Sequence, residues 1–133
     1  MKMLTLVFLL AQSAFAAPEI VPSPLDHLFV PEGFDSNDSV EMVVIGSFPN
    51  VCYSRNSVIV KVKDDLIDIK ITSLAPDTSV KATRACPDMI VPFKEVVSVG
   101  NLQGGEYRVQ VNTGTASALK DKLKVIEASS SAV

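Results

Sequence analysis

The chain has 133 residues, 47% of them hydrophobic, with 12 Lys and Arg against 15 Asp and Glu and a formal net charge of −3. That length suits one domain with one core. An acidic balance argues against nucleic acid or an anionic membrane as partner, because both are bound mainly through clustered Lys and Arg.

Met1 to Ala16 combine a short positive start, the apolar run Met3 to Ala11 and a small-residue Ala14-x-Ala16 site before Ala17-Pro18. These are the parts of a secretory signal peptide, and the apolar run is well short of the ~20 residues that span a bilayer. Residues 1–16 are therefore expected to be removed on export, leaving a periplasmic or secreted chain with no transmembrane segment. The bases are uneven: Glu19, Asp26, Glu32, Asp35, Asp38 and Glu41 precede the first Lys or Arg of the mature chain.

Residues 17–38 read as a proline-rich and acidic N-terminal arm. Pro18, Pro22, Pro24 and Pro31 deny it ladder donors, so it should hold at most a short edge strand at His27 to Val30. His27, the single histidine, has no partner spacing for zinc or copper. Asp35, Asn37 and Asp38 turn a loop by bonding their own backbone. They could also collect around calcium, although the spacing is not that of an EF-hand loop.

Residues 39–127 read as a β-sandwich domain. Ser39 to Ser47 is apolar on both faces and is expected to be a central strand packed beneath something else. Ser57 to Lys63 and Leu66 to Thr72 alternate strictly and are joined by Asp64-Asp65, a hairpin signal. Ser79 to Arg84 reads as a polar strand, Glu95 to Val99 as a short one, with Val91-Pro92-Phe93 at an edge or bulge because Pro92 cannot donate to a ladder. Tyr107 to Asn112 and Leu119 to Glu127 form a last hairpin, and residues 128–133 a flexible tail. Phe48, Pro49 and Asn50, with Pro92 and Phe93, place apolar side chains beside prolines and are read as possible binding loops.

The late Leu102-x-x-Gly105-x-Tyr107 resembles the tyrosine corner of immunoglobulin-like sandwiches, where a Tyr opening a late strand bonds backbone across the turn. Seven or eight strands with turns about every ten residues fit the same class. The expected fold is all-β, an immunoglobulin-like antiparallel β-sandwich, without the core Trp of antibody domains. The run Gly33-Phe34-Asp35-x-Asn37-Asp38 followed by Phe48-Pro49-x-x-Cys52-Tyr53 also resembles small secreted bacterial proteins of unassigned function, a likeness that supplies no activity.

Cys52 and Cys86 in an exported chain are expected to form one disulfide, and their wide spacing is unlike that of redox pairs. Closing a loop of about 35 residues would stabilise the fold by roughly 3 to 4 kcal/mol on the chain-entropy model. No serine elbow, phosphate loop or second histidine accompanies His27. The expectation is a non-catalytic module without cofactor, binding a protein or an envelope component and not nucleic acid. The alternative is an inhibitor of an extracellular or periplasmic hydrolase that inserts loops into a cleft; exposed Phe48 and Phe93 would support it and burial of both would sink it.

Overall fold

The computed structural model describes residues 18–76 and 86–129. The segment read as a signal peptide, the strand expected at Ser79 to Arg84 and the end of the tail lie outside the described residues.

Strict alternation produces the central hairpin. Strands β4 (Ser54–Lys63) and β5 (Leu66–Ala75) pair antiparallel, with Val58, Val60 and Val62 opposite Ile71, Ile69 and Ile67 on the inner face and Lys61 opposite Asp68 on the outer one. The turn is closed by Asp64 at φ 53°, a left-handed conformation that a short polar side chain tolerates. β4 covers one edge of β5 along its length. The other edge is shared: β1 (Glu19–Pro22) runs antiparallel beside Thr72 to Ala75, and β7 (Gly105–Val111) runs parallel beside Leu66 to Ile69. β7 then pairs antiparallel with β8 (Leu119–Val125), completing a five-stranded sheet.

The second sheet has, among the described residues, three antiparallel strands in the order β2 (Leu25–Phe29), β3 (Val40–Asn50) and β6 (Asp88–Gly100). The inner faces of the two sheets meet in one core: Val40, Met42, Val44 and Val97 from the smaller sheet pack with Ile67, Ile69, Ile71, Val109, Val111, Leu123 and Val125 from the larger. The protein is thus all-β, a sandwich of eight strands among the described residues. Among the described residues the named strands pair antiparallel except β5 with β7, and an isolated parallel bridge joins Asp35 to Ile126.

Three features differ from the sequence reading. The proline-rich arm supplies two strands, one to each sheet, and Leu25 joins the core. Pro22 and Pro24 flank the crossing between the sheets. Ser23 sits there fully buried, its amide donating to the Ile71 carbonyl at 3.0 Å and its hydroxyl bonded to that of Ser73. Second, β6 is a single thirteen-residue strand and not a short segment after a proline break; Pro92 is accommodated because β6 is an edge of its sheet. Third, β3 is central, as its apolar character suggests, yet no described element covers its outer face.

Candidate binding surfaces

Cys52 and Cys86 form the disulfide, with Cα atoms 5.6 Å apart. It ties the turn after β3 to the residues that lead into β6, next to the Asn50 and Asp88 pair of the ladder. Asn50 is buried there, and its side-chain oxygen accepts from the Cys52 amide at 2.9 Å.

The residues read as binding loops are strand residues. Phe48 and Asn50 lie in β3 and are buried; Pro92 and Phe93 lie in β6. Phe48 stacks on Phe93 with ring centroids 4.3 Å apart and on Tyr53 at 5.8 Å. Phe93 is half-buried against the core, over Gly46, its cross-strand partner. Apolar residues beside proline mark the packed end of the sandwich here, and a loop-insertion inhibitor has lost Phe48 as a contact.

At the turn into β7, the Tyr107 hydroxyl donates to the Gln103 carbonyl at 2.7 Å, and Leu102 and the Tyr107 ring pack against the core. Gly105 holds φ 155°, at the limit of what side chains allow. The neighbouring Gly104 is set by contact instead: a Cβ there would lie 2.7 Å from the Glu127 backbone nitrogen.

Asp35, Asn37 and Asp38 build a turn. The Asp35 amide donates to the Asp38 carboxylate and the Asn37 amide to the Asp35 carboxylate, both at 2.8 Å. The turn is fastened to the end of the chain, since Ser36 donates to the Ile126 carbonyl at 2.8 Å and Ile126 to that of Phe34 at 2.9 Å. Among the described residues no three His, Cys, Asp or Glu converge as a metal site would require.

Two polar residues invisible to the sequence reading hold the sandwich together. Asn112, buried and at φ 49°, lies where β7 ends and β1 begins along β5. Its side-chain oxygen accepts from the Ile71 amide at 2.7 Å and its nitrogen donates to the Ile71 carbonyl at 3.0 Å, as a neighbouring strand's peptide would. Glu95, 4% exposed, points inward from β6 and takes a two-pronged ion pair from Arg55 of β4 across the gap between the sheets. Hydrogen bonding first, and charge second, hold the Arg55 guanidinium above its ordinary pKa. A charged residue at the inward parity of an otherwise apolar alternation was the signal for Glu95, because a buried carboxylate needs a partner.

Two surfaces remain. An open groove of about 870 Å³ runs between Val30 to Gly33 and the edge of the larger sheet, lined by Tyr107, Leu123, Asp65, Arg108 and Lys122 among others. Its ionisable groups are exposed, and Arg108 reaches Asp65 at 3.2 Å. This bond and the charge behind it hold the Asp65 carboxyl below its usual range. The other surface is the outer face of the smaller sheet. Phe29, Val43 and Val96 stand in one cross-strand row, with His27, Ile45 and Lys94 in the next. Phe29 is 52% exposed, Val96 54% and Ile90, further along β6, 74%.

Two facing sheets around an apolar core, with these features at the faces and ends, define a β-sandwich domain. The model of the ORF11 beta-sandwich domain matches residues 42–119, more than half of the chain, and the chain belongs to that family. No curated protein and no solved structure matches it. Among the described residues no helix is long and apolar enough to cross a membrane.

Proposed function

We propose that the chain is an exported, non-catalytic binding module of the cell envelope whose contact surface is the outer face of the smaller sheet. The observation that carries this reading is the Phe29, Val43 and Val96 row, together with Ile45 and Ile90. A sheet whose outer face meets water normally alternates apolar inside and polar outside. β3 instead carries Val43 and Ile45 outward, on the strand with Met42 and Val44 inside. An exposed apolar row of this kind supports an interaction site, and its fit is to an apolar strip on a protein partner. The residue pattern of 1–16 and the closed disulfide support export. The open groove, with its exposed and charge-paired groups, lacks the burial by which catalytic residues are tuned, which supports a role in binding.

The test is capture by the mature, oxidised protein from envelope and medium fractions, run beside a Phe29→Asp/Val96→Asp variant. Both positions are exposed, so the variant should keep the wild-type circular dichroism and unfolding midpoint. The reading expects a partner retained by the wild type and lost by the variant; a partner held equally by both removes this face from the account. Amino-terminal sequencing of the exported chain should begin at Ala17, and a chain retained with Met1 would overturn the export half.

A further inference from the structure

Charge is divided between the two outer faces in a way that the net value hides. On β8, Lys120, Lys122 and Lys124 all point outward, opposite Gln110, Arg108 and Glu106 of β7. On the far side of the same sheet Lys61 and Lys63 of β4 point outward, opposite Asp68 and Leu66 of β5, and Lys70 stands opposite Ile59. Register joins the two sides, since Leu66 pairs with Arg108 and Asp68 with Gln110. The four strands therefore align in rows and these cations share one plane. Of the Lys and Arg in the described residues, only Arg55 and Lys94 stand elsewhere. The carboxylates on the plane are Asp68 and Glu106, with Asp64 and Asp65 at the hairpin tip, the last engaged by Arg108.

We propose that the outer face of the larger sheet adsorbs to a bilayer surface rich in anionic phospholipid. This rests on the opposite face from the binding surface above and stands independently of it. Cations along one strand recur about every 7 Å and neighbouring strands lie about 4.8 Å apart, so the charge is spread in two dimensions over the face. Arg108 and Lys122 also line the open groove, but the other lysines extend across four strands, wider than a single polyanionic chain covers, and an extended anionic surface meets more of them at once. The cations are mostly lysines, point charges without a planar fork. The one arginine already gives its fork to Asp65, so bidentate reading of a particular sulfate or phosphate is not provided for. No aromatic ring stands on this face among the described residues, so the stacking platform of a single-stranded nucleic acid site is missing. Two exposed apolar side chains flank the cations on the same face, Ile59 and Ile20, the latter 63% exposed and opposite Leu74; an interface with lipid gives them a place that a soluble polyanion does not.

The acidic balance of the whole chain does not oppose this. Carboxylates on the outer face of the smaller sheet lie beyond the core, more than about 10 Å further from a surface that the larger sheet meets, so the nearest charges to that surface are the cations.

The experiment is co-sedimentation of the mature, oxidised chain with vesicles of phosphatidylcholine alone or mixed equally with phosphatidylglycerol. Binding is expected to the mixed vesicles at about 50 mM salt, to fall steeply by about 300 mM, and to be absent with phosphatidylcholine. Each lysine removed should lower partition about fivefold, so that Lys120→Gln/Lys122→Gln/Lys124→Gln loses on the order of 100-fold. Lys94→Gln, on the other sheet, should leave partition into these vesicles unchanged. Equal binding to both vesicle types, no binding at low salt, or an unaffected triple variant would each overturn the proposal. So would tight binding to heparin or to a single-stranded oligonucleotide under conditions that leave the anionic vesicles bare.

Discussion

Replacing Asn112 with Ala tests the reasoning that β5 is completed along its shared edge by a side chain. The Ile71 amide, fully buried, has the Asn112 oxygen as its acceptor at 2.7 Å, and loss of that oxygen leaves a buried donor unpaired, at about 1 to 3 kcal/mol. The bond from the Asn112 nitrogen to the Ile71 carbonyl contributes about 1 kcal/mol more, although that carbonyl keeps the Ser23 amide. Alanine at φ 49° adds about 1 to 2 kcal/mol of steric cost that asparagine partly escapes. Together these predict a loss of about 3 to 6 kcal/mol, a large share of a small domain's stability. Urea unfolding of the mature, oxidised protein followed by circular dichroism measures it. The midpoint should fall with an unchanged slope, and Asn112→Gly should recover the conformational part while keeping the hydrogen-bond loss. An Asn112→Ala variant within 1 kcal/mol of wild type would refute the peptide-mimic role.

Other outcomes are equally concrete. Gly46→Ala places a Cβ 2.2 Å from the Pro24 carbonyl oxygen and 2.4 Å from the Phe93 ring, so stability should fall by at least the roughly 1 to 3 kcal/mol of an overpacked core, read as a lowered thermal midpoint. Tyr107→Phe removes only the hydroxyl bond to Gln103 and should cost about 1 kcal/mol in the same urea assay. Because Arg108 lowers the folded-state pKa of Asp65, this pair contributes stability that is complete above the ordinary value of 3.8 and is lost as pH falls through the lower folded value. Unfolding midpoints of Asp65→Asn and wild type should accordingly converge in that acid range and separate slightly above it. A gap that stayed constant with pH would remove the assignment.

Short-range pattern was enough for the parts of the fold that short-range pattern controls. Alternating Val and Ile about Asp64-Asp65 specified the β4 and β5 hairpin, and Tyr107, Val109 and Val111 announced one face of β7. The two cysteines pointed to each other because nothing else in the chain could pair with them. What failed were inferences that needed to know a neighbour. Prolines at 22 and 24 looked like an arm with at most one short edge strand at His27 to Val30, because a sequence does not show that β1 and β2 lie at sheet margins where missing donors are tolerated. Phe48 and Phe93 looked like exposed loop tips, although Gly46 opposite Phe93 is what lets the two rings stack inside. The parallel pairing of β5 with β7 has no local signature, and so neither did the gap that Asn112 fills. The lysines of β4 and β8 were legible as two solvated faces; that both look the same way became visible only through the strands between them.

The sharing of one β5 edge by β1 and β7 also constrains the order in which the molecule can be made. Glu19 to Pro22 and Leu66 to Ala75 are separated by three other strands, and β7 arrives later still, so the principal ladder draws on early, middle and late parts of the polypeptide. Such non-local pairing puts folding on a millisecond-to-second scale instead of microseconds. A chain emerging from a ribosome or a translocation channel has no complete larger sheet until Val125 has cleared the exit, so maturation of this domain is an event that follows, and does not accompany, its passage.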